Sequence, residues 1–573
     1  MRLECIPGPH TITFEYRNDN GDVKSSMSLV VEVISGRETT ISGNIDESKV
    51  TSGSSSLTEV KQAIEVKKEG DTVVNVLVAP ANTSSNLNQS TVTFEAGSFT
   101  KDSTNAVLNL SVTSAGGEFS VGSLGSSAPI ACIDISLLVN GEEVTSFNGK
   151  EVKIETYIAK NLDNVQVFYN GTPSEVKNIP NYVDDNAWFT SGTIEGYSKE
   201  SGKLVFKTTH FSEYFFIANE VVAYNSTTNV AYSSFLTAFN SLGNNESLIL
   251  IKDTTINAEN ENISQPLLVP ENSIYSIDLN GHTLSYIGYN TEVDSFCVRP
   301  FIIYGTLEVN NNSKDEGKGG IEVLTWQTYG IFDIKSGGTL KINGGYYHSE
   351  GANGGALIRG REGSYIEIKD GAFIVTGNGS TTGTDGAMNT EGDSVIYNGI
   401  FKSTSTSYNN NNWSYTLRSS GNMTLHYAEV EGVQGGIGIY GGTSVIYDAK
   451  STINESIYGI NYSFYPLYIA GEKLEVSCIV KGGTYTSPNR YALYCGNNTE
   501  GDGGNRLDSR VNVLGGTYIV NNDKLSSAIY VDENKGTAII KSGVFNKPID
   551  SKYIAEGYYA KQNEDGNYEV TSI

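Results

Sequence analysis

Residues 276–288, SIDLNGHTLSYIG, alternate apolar and polar side chains, stop at Asn280-Gly281 and then alternate again. This period of two predicts two short strands, because successive side chains of a strand point to opposite faces. Asn and Gly tolerate the left-handed backbone of a tight corner, so Asn280-Gly281 predicts the bend between the strands. His282 follows the bend without an acidic or second histidine partner at ligand spacing, and we interpret it as a structural polar cap.

Strand-and-corner units recur through the C-terminal part of the chain. Each carries a glycine two residues before an aromatic side chain: Gly345-Tyr346-Tyr347, Gly371-Ala372-Phe373, Gly399-Ile400-Phe401, Gly483-Thr484-Tyr485, Gly516-Thr517-Tyr518 and Gly543-Val544-Phe545. The interval between Phe401 and Tyr485 is about three times the others. It fits three coils, with weaker repeats near Ala428-Glu429-Val430 and Ala449-Lys450-Ser451.

The length of the repeat predicts the architecture. About 25–30 residues with three short strands cannot fold alone, but such units can stack in parallel around one continuous core. Propeller blades are the competing interpretation, and they fit less well because they need about 40–50 residues and four strands each. The sequence therefore predicts an all-β chain that ends in a parallel β-helix.

Several segments of this region resemble a known family. LLVPENSIYSIDLNGHTLS, IKSGGTLKINGGYY, VKGGTYTS and KSGVFNKPIDSKYIAEGYYAKQ are similar to right-handed, pectate-lyase-like β-helices of surface proteins from gut bacteria. The resemblance implies an N-terminal cap, here near 233–242, and a polar C-terminal cap, here near 548–573. It also implies an extracellular or cell-surface location.

The region before the repeats predicts β-sandwich modules. Its segment IPGPHTITFEYRNDNGDV resembles the last strands of immunoglobulin-like or carboxypeptidase-regulatory-like repeats in bacterial surface proteins, and the resemblance implies immunoglobulin-like β-sandwich modules. Residues 1–49 alternate like the last strands of such a module, and 72–220 contain many short strands with turns such as Asn140-Gly141. Residues 50–71 predict a linker with a short helix, since Ser56 and Glu59 form a capping box. The sequence thus divides into a partial sandwich, a linker, a sandwich and a β-helix over 221–573.

Composition narrows the classes of partner. A formal net charge of −26 makes nucleic acid and anionic membranes poor partners, and no segment is apolar enough to span a membrane. The five cysteines form no CxxC pair, so we expect buried thiols and neither a metal site nor a cofactor. The segment after Met1 lacks the apolar core of a signal peptide, and we expect the sequence to begin inside a longer protein.

Two sets of residues are candidates for a function on the β-helix. Aromatic side chains in polar loops can stack on sugar rings, and five such residues stand out: Tyr408, Trp413, Tyr415, Trp326 and Tyr329. A charged stretch could form a catalytic wall: Arg359, Arg361, Glu367 and Asp370. The Asp-Asp, Gly-His-Gly and Arg-Ile-Lys motifs of polygalacturonase-type hydrolases do not occur in the predicted β-helix. A calcium-dependent lyase is an alternative that needs a carboxylate cluster, and the charged stretches are more simply interpreted as solvated faces.

A third candidate lies in the sandwich, in KTTHFSEYFF. It resembles self-cleaving β-sandwich domains of inflammasome and nucleoporin proteins. The resemblance implies that Ser212 attacks the carbonyl of Phe211, with His210 as base or orienting group. The alternative is an ordinary last strand with Phe211 packed and Ser212 at an edge.

These observations favour a non-catalytic bacterial surface protein. It would be an adhesin, whose ligands are host or bacterial glycans or surface proteins, or it would be a stalk. A carbohydrate-active enzyme, either a polysaccharide lyase or a glycoside hydrolase, with its site on the side wall is the first alternative. Self-cleavage between Phe211 and Ser212 is the second.

Overall fold

The computed structural model describes most of the chain. The described residues are 8–17, 23–33, 57–78, 88–114, 131–169, 175–182, 195–219, 221–228, 230–257, 266–287, 299–311, 319–324, 330–350, 356–376, 386–404, 415–433, 435–454, 465–472, 474–496 and 507–573. They fall into two compact units, one within Met1–Leu242 and Glu246–Lys252, the other within Gly243–Asn245 and Asp253–Ile573. The sequence placed the boundary at residue 221.

The first unit contains two sheets that enclose a common apolar core, as predicted for a β-sandwich. One sheet has seven strands: Leu57–Val66, Ser103–Ser114, Ala131–Val139, Glu142–Glu143, Asp163–Tyr169, Glu175–Asn178 and Glu213–Asn219. The other has six strands: Thr72–Val78, Asn88–Phe94, Val152–Tyr157, Asn181–Tyr182, Gly196–Ser198 and Lys203–Thr208. All pairings are antiparallel except the one between Asn181–Tyr182 and Gly196–Ser198.

The predicted helix within 56–70 was wrong. Leu57–Val66 is a strand that pairs antiparallel with Ser103–Ser114. Ile64 and Val66 are buried while Lys61 and Glu65 are exposed, which is the period of two of a strand with one face on the core. The capping signal was outweighed because this alternation lets the segment bury its apolar side chains against the sheet.

The remaining elements of the first unit are a hairpin, three short strands and a short helix. A hairpin joins Gly8–Arg17 to Val23–Val33, as predicted for the N-terminal region. Ala223–Asn225 pairs antiparallel with Val230–Tyr232 and with Glu246–Leu250. The helix α1 spans Phe235–Asn240, begins after the N-cap Ser234 and buries Phe235, Ala238 and Phe239. It forms within the predicted range 233–242.

The second unit is a parallel β-helix, as the repeat predicts. One face is a ten-stranded sheet: Leu267–Val269, Phe301–Ile303, Phe332–Ile334, Ile358–Gly360, Met388–Thr390, Leu417–Ser419, Ile437–Ile439, Leu467–Ile469, Leu493–Cys495 and Ile529–Val531. The strands of the other two faces are Thr254–Asn257, Ile274–Asp278, Thr283–Ile287, Thr306–Asn310, Gly320–Val323, Thr339–Ser349, Tyr365–Val375, Asp393–Ile396, Ile400–Ser403, Met423–Leu425, Glu429–Gly432, Gly442–Ile446, Lys450–Ile453, Val476–Val480, Thr484–Ser487, Ser509–Val520 and Gly536–Phe545. The long strands pass from the second face to the third.

The corner at Asn280-Gly281 has the predicted geometry. Asn280 and Gly281 both have positive φ, 49° and 75°. Asn311 of the next coil accepts from the Gly281 N–H at 2.9 Å. His282 Nδ1 lies 3.5 Å from Asp253 Oδ1, so the coil before supplies the acidic neighbour that sequence spacing did not show. Burial lowers the pKa of His282 although Asp253 opposes this, which agrees with a structural role for the neutral imidazole.

The glycine-aromatic repeat forms an internal column of stacked rings. Tyr347, Phe373 and Phe401 are register partners on successive coils, with ring centroids 5.0 and 4.9 Å apart. A second set, Tyr485, Tyr518 and Phe545, stacks at 5.1 and 4.7 Å. Five of these rings lie next to the glycine two residues before them; Gly516 instead faces backbone atoms of Gly482 and Gly483. A Cβ at Gly399 would lie 2.8 Å from Phe401 Cε2, and one at Gly543 would lie 2.9 Å from Phe545 Cε2.

The two weaker repeats occupy the same column, which confirms that the long interval holds three coils. Phe401 is in register with Val430, Val430 with Ser451, and Ser451 with Tyr485. At these two coils the corner residue is Ala428 or Ala449 instead of glycine. The side chain two residues on is then small, so the corner can carry a Cβ without meeting a ring.

The predicted C-terminal cap region changes the direction of pairing. After the 3-10 turn Ser551–Tyr553, the strands Tyr558–Gln562 and Tyr568–Ser572 form an antiparallel hairpin. Tyr568–Ser572 also pairs antiparallel with Gly536–Phe545, the last strand that follows the parallel pattern. Most side chains of the hairpin are at least partly exposed, as expected of an element that ends a solenoid.

The close approach of Gly399 to the ring of Phe401 predicts that substitutions at these two positions have coupled effects on the free energy of unfolding. Gly399→Ala should destabilise the protein by about 1–3 kcal/mol, because the new methyl group overpacks against Phe401. With Phe401→Val already present, the double variant has the same pair of residues as Ala428 and Val430. In that background Gly399→Ala should destabilise the protein by about 1 kcal/mol less, a coupling energy in the range measured for contacting residues. Equilibrium unfolding of the four proteins of the cycle measures both effects. Strictly additive free energies would contradict the steric coupling.

Candidate functional site

The ten-stranded sheet presents one residue of each strand to the outside of the β-helix. Its strands have three residues, of which the first and third are buried in the core. The central residues align from strand to strand about 4.8 Å apart. We call this column the outer wall. Its residues in order are Leu268, Ile302, Asp333, Arg359, Asn389, Arg418, Gly438, Tyr468, Tyr494 and Tyr530.

A buried carboxylate begins the polar part of the outer wall. Asp333 is 6% exposed, and its two oxygens accept from Arg361 Nε at 3.0 Å and from Lys335 Nζ at 2.7 Å. Burial alone would raise the pKa of Asp333, but the hydrogen bonds from the two cations outweigh it and hold the pKa below its usual value. Asp333 is therefore ionised at neutral pH and holds Arg361 and Lys335 in place.

Two polar side chains at the centre of the outer wall are available to a ligand. Arg359 and Asn389 are register partners on adjacent strands, and both are half-buried. Within the described residues, neither side chain makes a hydrogen bond or an ion pair. Burial lowers the pKa of the Arg359 guanidinium, and the nearby Arg361 adds to this effect, although a guanidinium remains charged at neutral pH.

Arg418 joins the polar part of the outer wall to its aromatic part. Its guanidinium carbon lies 4.1 Å from the ring centroid of Tyr440, and Nη2 donates to Glu472 Oε2 at 2.5 Å. Its Nε is buried and has no hydrogen-bond partner among the residues that the structure describes. Cation–π stacking and the ion pair thus hold the guanidinium flat against the wall.

Tyrosines form the far end of the outer wall. Tyr468, Tyr494 and Tyr530 stack with centroids 5.2 and 5.1 Å apart. Tyr468 and Tyr494 are each 4% exposed, whereas Tyr530 is 41% exposed. Gly438 provides the space for this cluster, since a Cβ there would lie 2.7 Å from Tyr415 Cγ and 2.8 Å from Tyr440 Cε2. The stack therefore ends in one accessible ring, which also contacts Tyr491 at 5.2 Å.

Of the five aromatic residues predicted to stack on sugars, the structure describes one. Tyr415 is 3% exposed and packs against Tyr440 and Tyr468, so it is buried within the tyrosine cluster and is not a surface ring for stacking on sugars. The reason is that the other tyrosines of its apolar cluster, Tyr440, Tyr465, Tyr468 and Tyr494, cover its ring. The other four residues lie outside the described part of the chain: Trp326, Tyr329, Tyr408 and Trp413.

The predicted charged set is divided between two faces. Arg359 and Arg361 lie at the outer wall, but Glu367 lies in register with Lys341 on a different sheet. Asp370 stands at the corner that follows, where it accepts from Asn398 Nδ2 at 2.8 Å. The cluster proposed from the sequence is therefore not a single site, because a corner separates its two halves.

Sequence reasoning missed most of the outer wall. Asp333 and the three stacked tyrosines are the middle residues of the apolar-x-apolar triplets FDI, LYI, LYC and IYV, and Arg418 is the middle residue of LRS, which ends in a buried serine. One triplet occurs in each coil, upstream of the glycine-aromatic unit, and aligning the triplets would have placed these side chains in one column.

The contacts of the His-Phe-Ser segment, residues 210–212, are those of a packed part of the sandwich. Phe211 packs edge-on against Phe147 at 4.8 Å, and the Ser212 carbonyl accepts from the Ile135 N–H at 3.1 Å. The hydroxyl of Tyr214 lies 3.0 Å from His210 Nδ1 and bonds Thr208 Oγ1 at 2.6 Å. In the described residues no hydrogen bond joins His210 to Ser212, so the imidazole is oriented by Tyr214 and not by the predicted nucleophile.

The described cysteines are buried thiols. Burial raises the pKa of Cys495 to about 12 and raises that of Cys478 and Cys132 further. Among the residues with described positions, no group of three or more His, Cys, Asp or Glu could hold a metal ion. In that same part of the chain, no helix has the length and apolar character needed to cross a membrane.

Comparison of the chain with protein-family profiles, with curated proteins and with solved structures gave no match. Strand register and burial define the fold, and the register brings together the side chains of the site.

The contacts of His210 predict that the chain remains intact. Because Tyr214 occupies the imidazole nitrogen nearest to it, we expect one full-length band on a denaturing gel after prolonged incubation at neutral pH. Ser212→Ala should give the same band pattern as the unchanged chain. Two fragments that meet at Phe211–Ser212 and disappear in Ser212→Ala would contradict this interpretation.

Proposed function

We propose that this chain is a non-catalytic bacterial surface protein that binds glycans along the outer wall. The observation that carries the proposal is the order of side chains on one face: ionic and amide groups from Asp333 to Arg418, then tyrosines to the exposed Tyr530. Amides and guanidinium groups can hydrogen-bond sugar hydroxyls, and tyrosine rings can cover the apolar faces of sugars. A column with a repeat of about 4.8 Å suits an extended, repetitive ligand.

The net charge supports the proposed class of ligand, and the family resemblance supports the proposed location. The net charge of −26 disfavours nucleic acid as the ligand, so host or bacterial glycans, or the surface proteins that carry them, are the proposed partners. The resemblance to pectate-lyase-like β-helices of gut bacteria supports an extracellular or cell-surface location. A purely mechanical role as a stalk would use the same fold without needing the outer wall. No cofactor is part of the proposal.

A carbohydrate-active enzyme remains the alternative, because Asp333, Lys335 and Arg361 do converge on the outer wall. Hydrolysis, however, needs one protonated carboxyl group opposite an ionised one. The pKa of Asp333 is held low by its two cations, and Glu472 is paired with Arg418. The arrangement fixes charges in place, which suits binding better than proton transfer.

The exposed end of the tyrosine stack provides the test. We expect Tyr530→Ala to weaken binding to the best oligosaccharide of a glycan array about tenfold, which corresponds to about 1.4 kcal/mol for one stacking ring. Isothermal titration of the full chain with that oligosaccharide measures the loss. Tyr559→Ala is the matched control, because Tyr559 is 44% exposed but lies in the C-terminal hairpin.

Equal affinities for the Tyr530→Ala protein and the unchanged chain would overturn the proposed site. Binding to no oligosaccharide on the array would overturn glycan binding itself and leave the stalk. An assay for new reducing ends in the same mixtures tests the enzyme, since depolymerisation of the bound glycan would replace the non-catalytic proposal.

A further inference from the structure

We propose that Arg359 and Asn389 form an oxyanion-binding site on the outer wall, which takes a carboxylate or sulfate group carried by a glycan. This inference rests on the proposed function for its ligand class. It goes further because it names the chemical group that is recognised and the two side chains that recognise it.

The first argument is the balance of charge around Arg359. Arg359 and the adjacent Asp333, together with the charged groups that act on them, make up four cations and two carboxylates: Arg299, Lys335, Arg359, Arg361, Asp333 and Glu391. One of the two carboxylates, Asp333, already binds two of the cations. A chain with a net charge of −26 thus has a local excess of positive charge at the middle of its outer wall. Such an excess attracts anions.

The second argument is that Asp333 prepares the site instead of filling it. Its carboxylate is bound by Arg361 and Lys335, and its low pKa keeps that arrangement over the neutral range. Arg359, on the next strand, is left without an ion pair in the described part of the chain. A half-buried guanidinium has lost part of its hydration, so an arriving oxyanion can replace water as the acceptor of its paired N–H groups.

The third argument is the identity of the next residue. Asn389 lies one strand beyond Arg359 and, in the region described, has no hydrogen-bond partner of its own. Its amide offers N–H donors and an acceptor within one strand spacing of the guanidinium. An oxyanion on Arg359 could therefore share a hydrogen bond with Asn389, while the amide oxygen accepts from a sugar hydroxyl.

The experiment compares oligosaccharides that share a backbone and differ in one group. The full chain is titrated with a neutral, a carboxylated and a sulfated form at low ionic strength. We expect the better anionic form to bind at least about tenfold more tightly than the neutral form, and added NaCl to reduce this difference. Arg359→Gln should reduce the affinity for the anionic form to that for the neutral one. Arg359→Lys should retain part of the preference.

Arg510→Gln is the matched control, because Arg510 is an exposed guanidinium on another face of the β-helix. Its affinities should equal those of the unchanged chain.

A second experiment uses the unchanged chain alone, so that its result does not depend on the folding of any variant. Inorganic sulfate should protect Arg359, but not Arg510, from modification by phenylglyoxal, as read by peptide mass spectrometry.

The outcomes separate this inference from the proposed function. Equal affinity for neutral and anionic forms, with a loss of binding in Tyr530→Ala, would overturn the oxyanion site and keep the glycan-binding wall. Protection of Arg359 by sulfate without binding to any oligosaccharide would keep the oxyanion site and overturn the glycan as its carrier. Equal modification of Arg359 with and without sulfate would overturn the site itself.

Discussion

The contact between a corner residue and the ring two residues later governs the second unit. Where the corner is Gly, a Tyr or Phe occupies the internal column and stacks on a ring of a neighbouring coil. The hydroxyl of a tyrosine in this position also donates to the carbonyl of the glycine three residues earlier, as Tyr347 does to Gly344 at 3.0 Å. Each ring therefore fixes both the bend of its own coil and the register of the next.

That register determines what the outside of the β-helix can do. Because coils stack in parallel, one residue from each coil reaches the same column, although loops of different length separate them. Arg418 and Glu472 form an ion pair across 54 positions of sequence for this reason. The outer wall is thus a product of the internal stack, and a slip of one coil would move every side chain beyond it by about 4.8 Å.

Local patterns were sufficient to predict the parallel β-helix. The alternation around Asn280-Gly281 and the recurrence of Gly371-Ala372-Phe373 depend only on neighbours in sequence, and both occur in the structure as predicted. The segment 57–66 failed because a capping signal and a strand alternation compete there, and tertiary pairing with Ser103–Ser114 decided the result. A single sequence does not show which neighbour will be available.

The site was harder to predict because it is assembled from different coils. Arg359 and Glu367 are close in sequence but belong to different faces, since a corner lies between their strands. Tyr415 follows an Asn-rich segment that resembles an exposed loop, yet its ring is enclosed by other tyrosines. By contrast, Asp333 and Arg361 meet only through register. Burial and register, and not residue type, decided which candidates share a site.

The register of the coils is the central claim, and a pair of cysteines tests it directly. Lys402 and Glu431 are register partners on adjacent coils, and both are partly exposed. Adjacent strands place partner Cα atoms within the 4.4–6.8 Å of a disulfide, roughly 4.8 Å apart. Lys402→Cys with Glu431→Cys should therefore oxidise to a bridge that peptide mass spectrometry detects, whereas Lys402→Cys with Glu429→Cys should remain reduced. The reverse result would show that the coils are stacked in a different register.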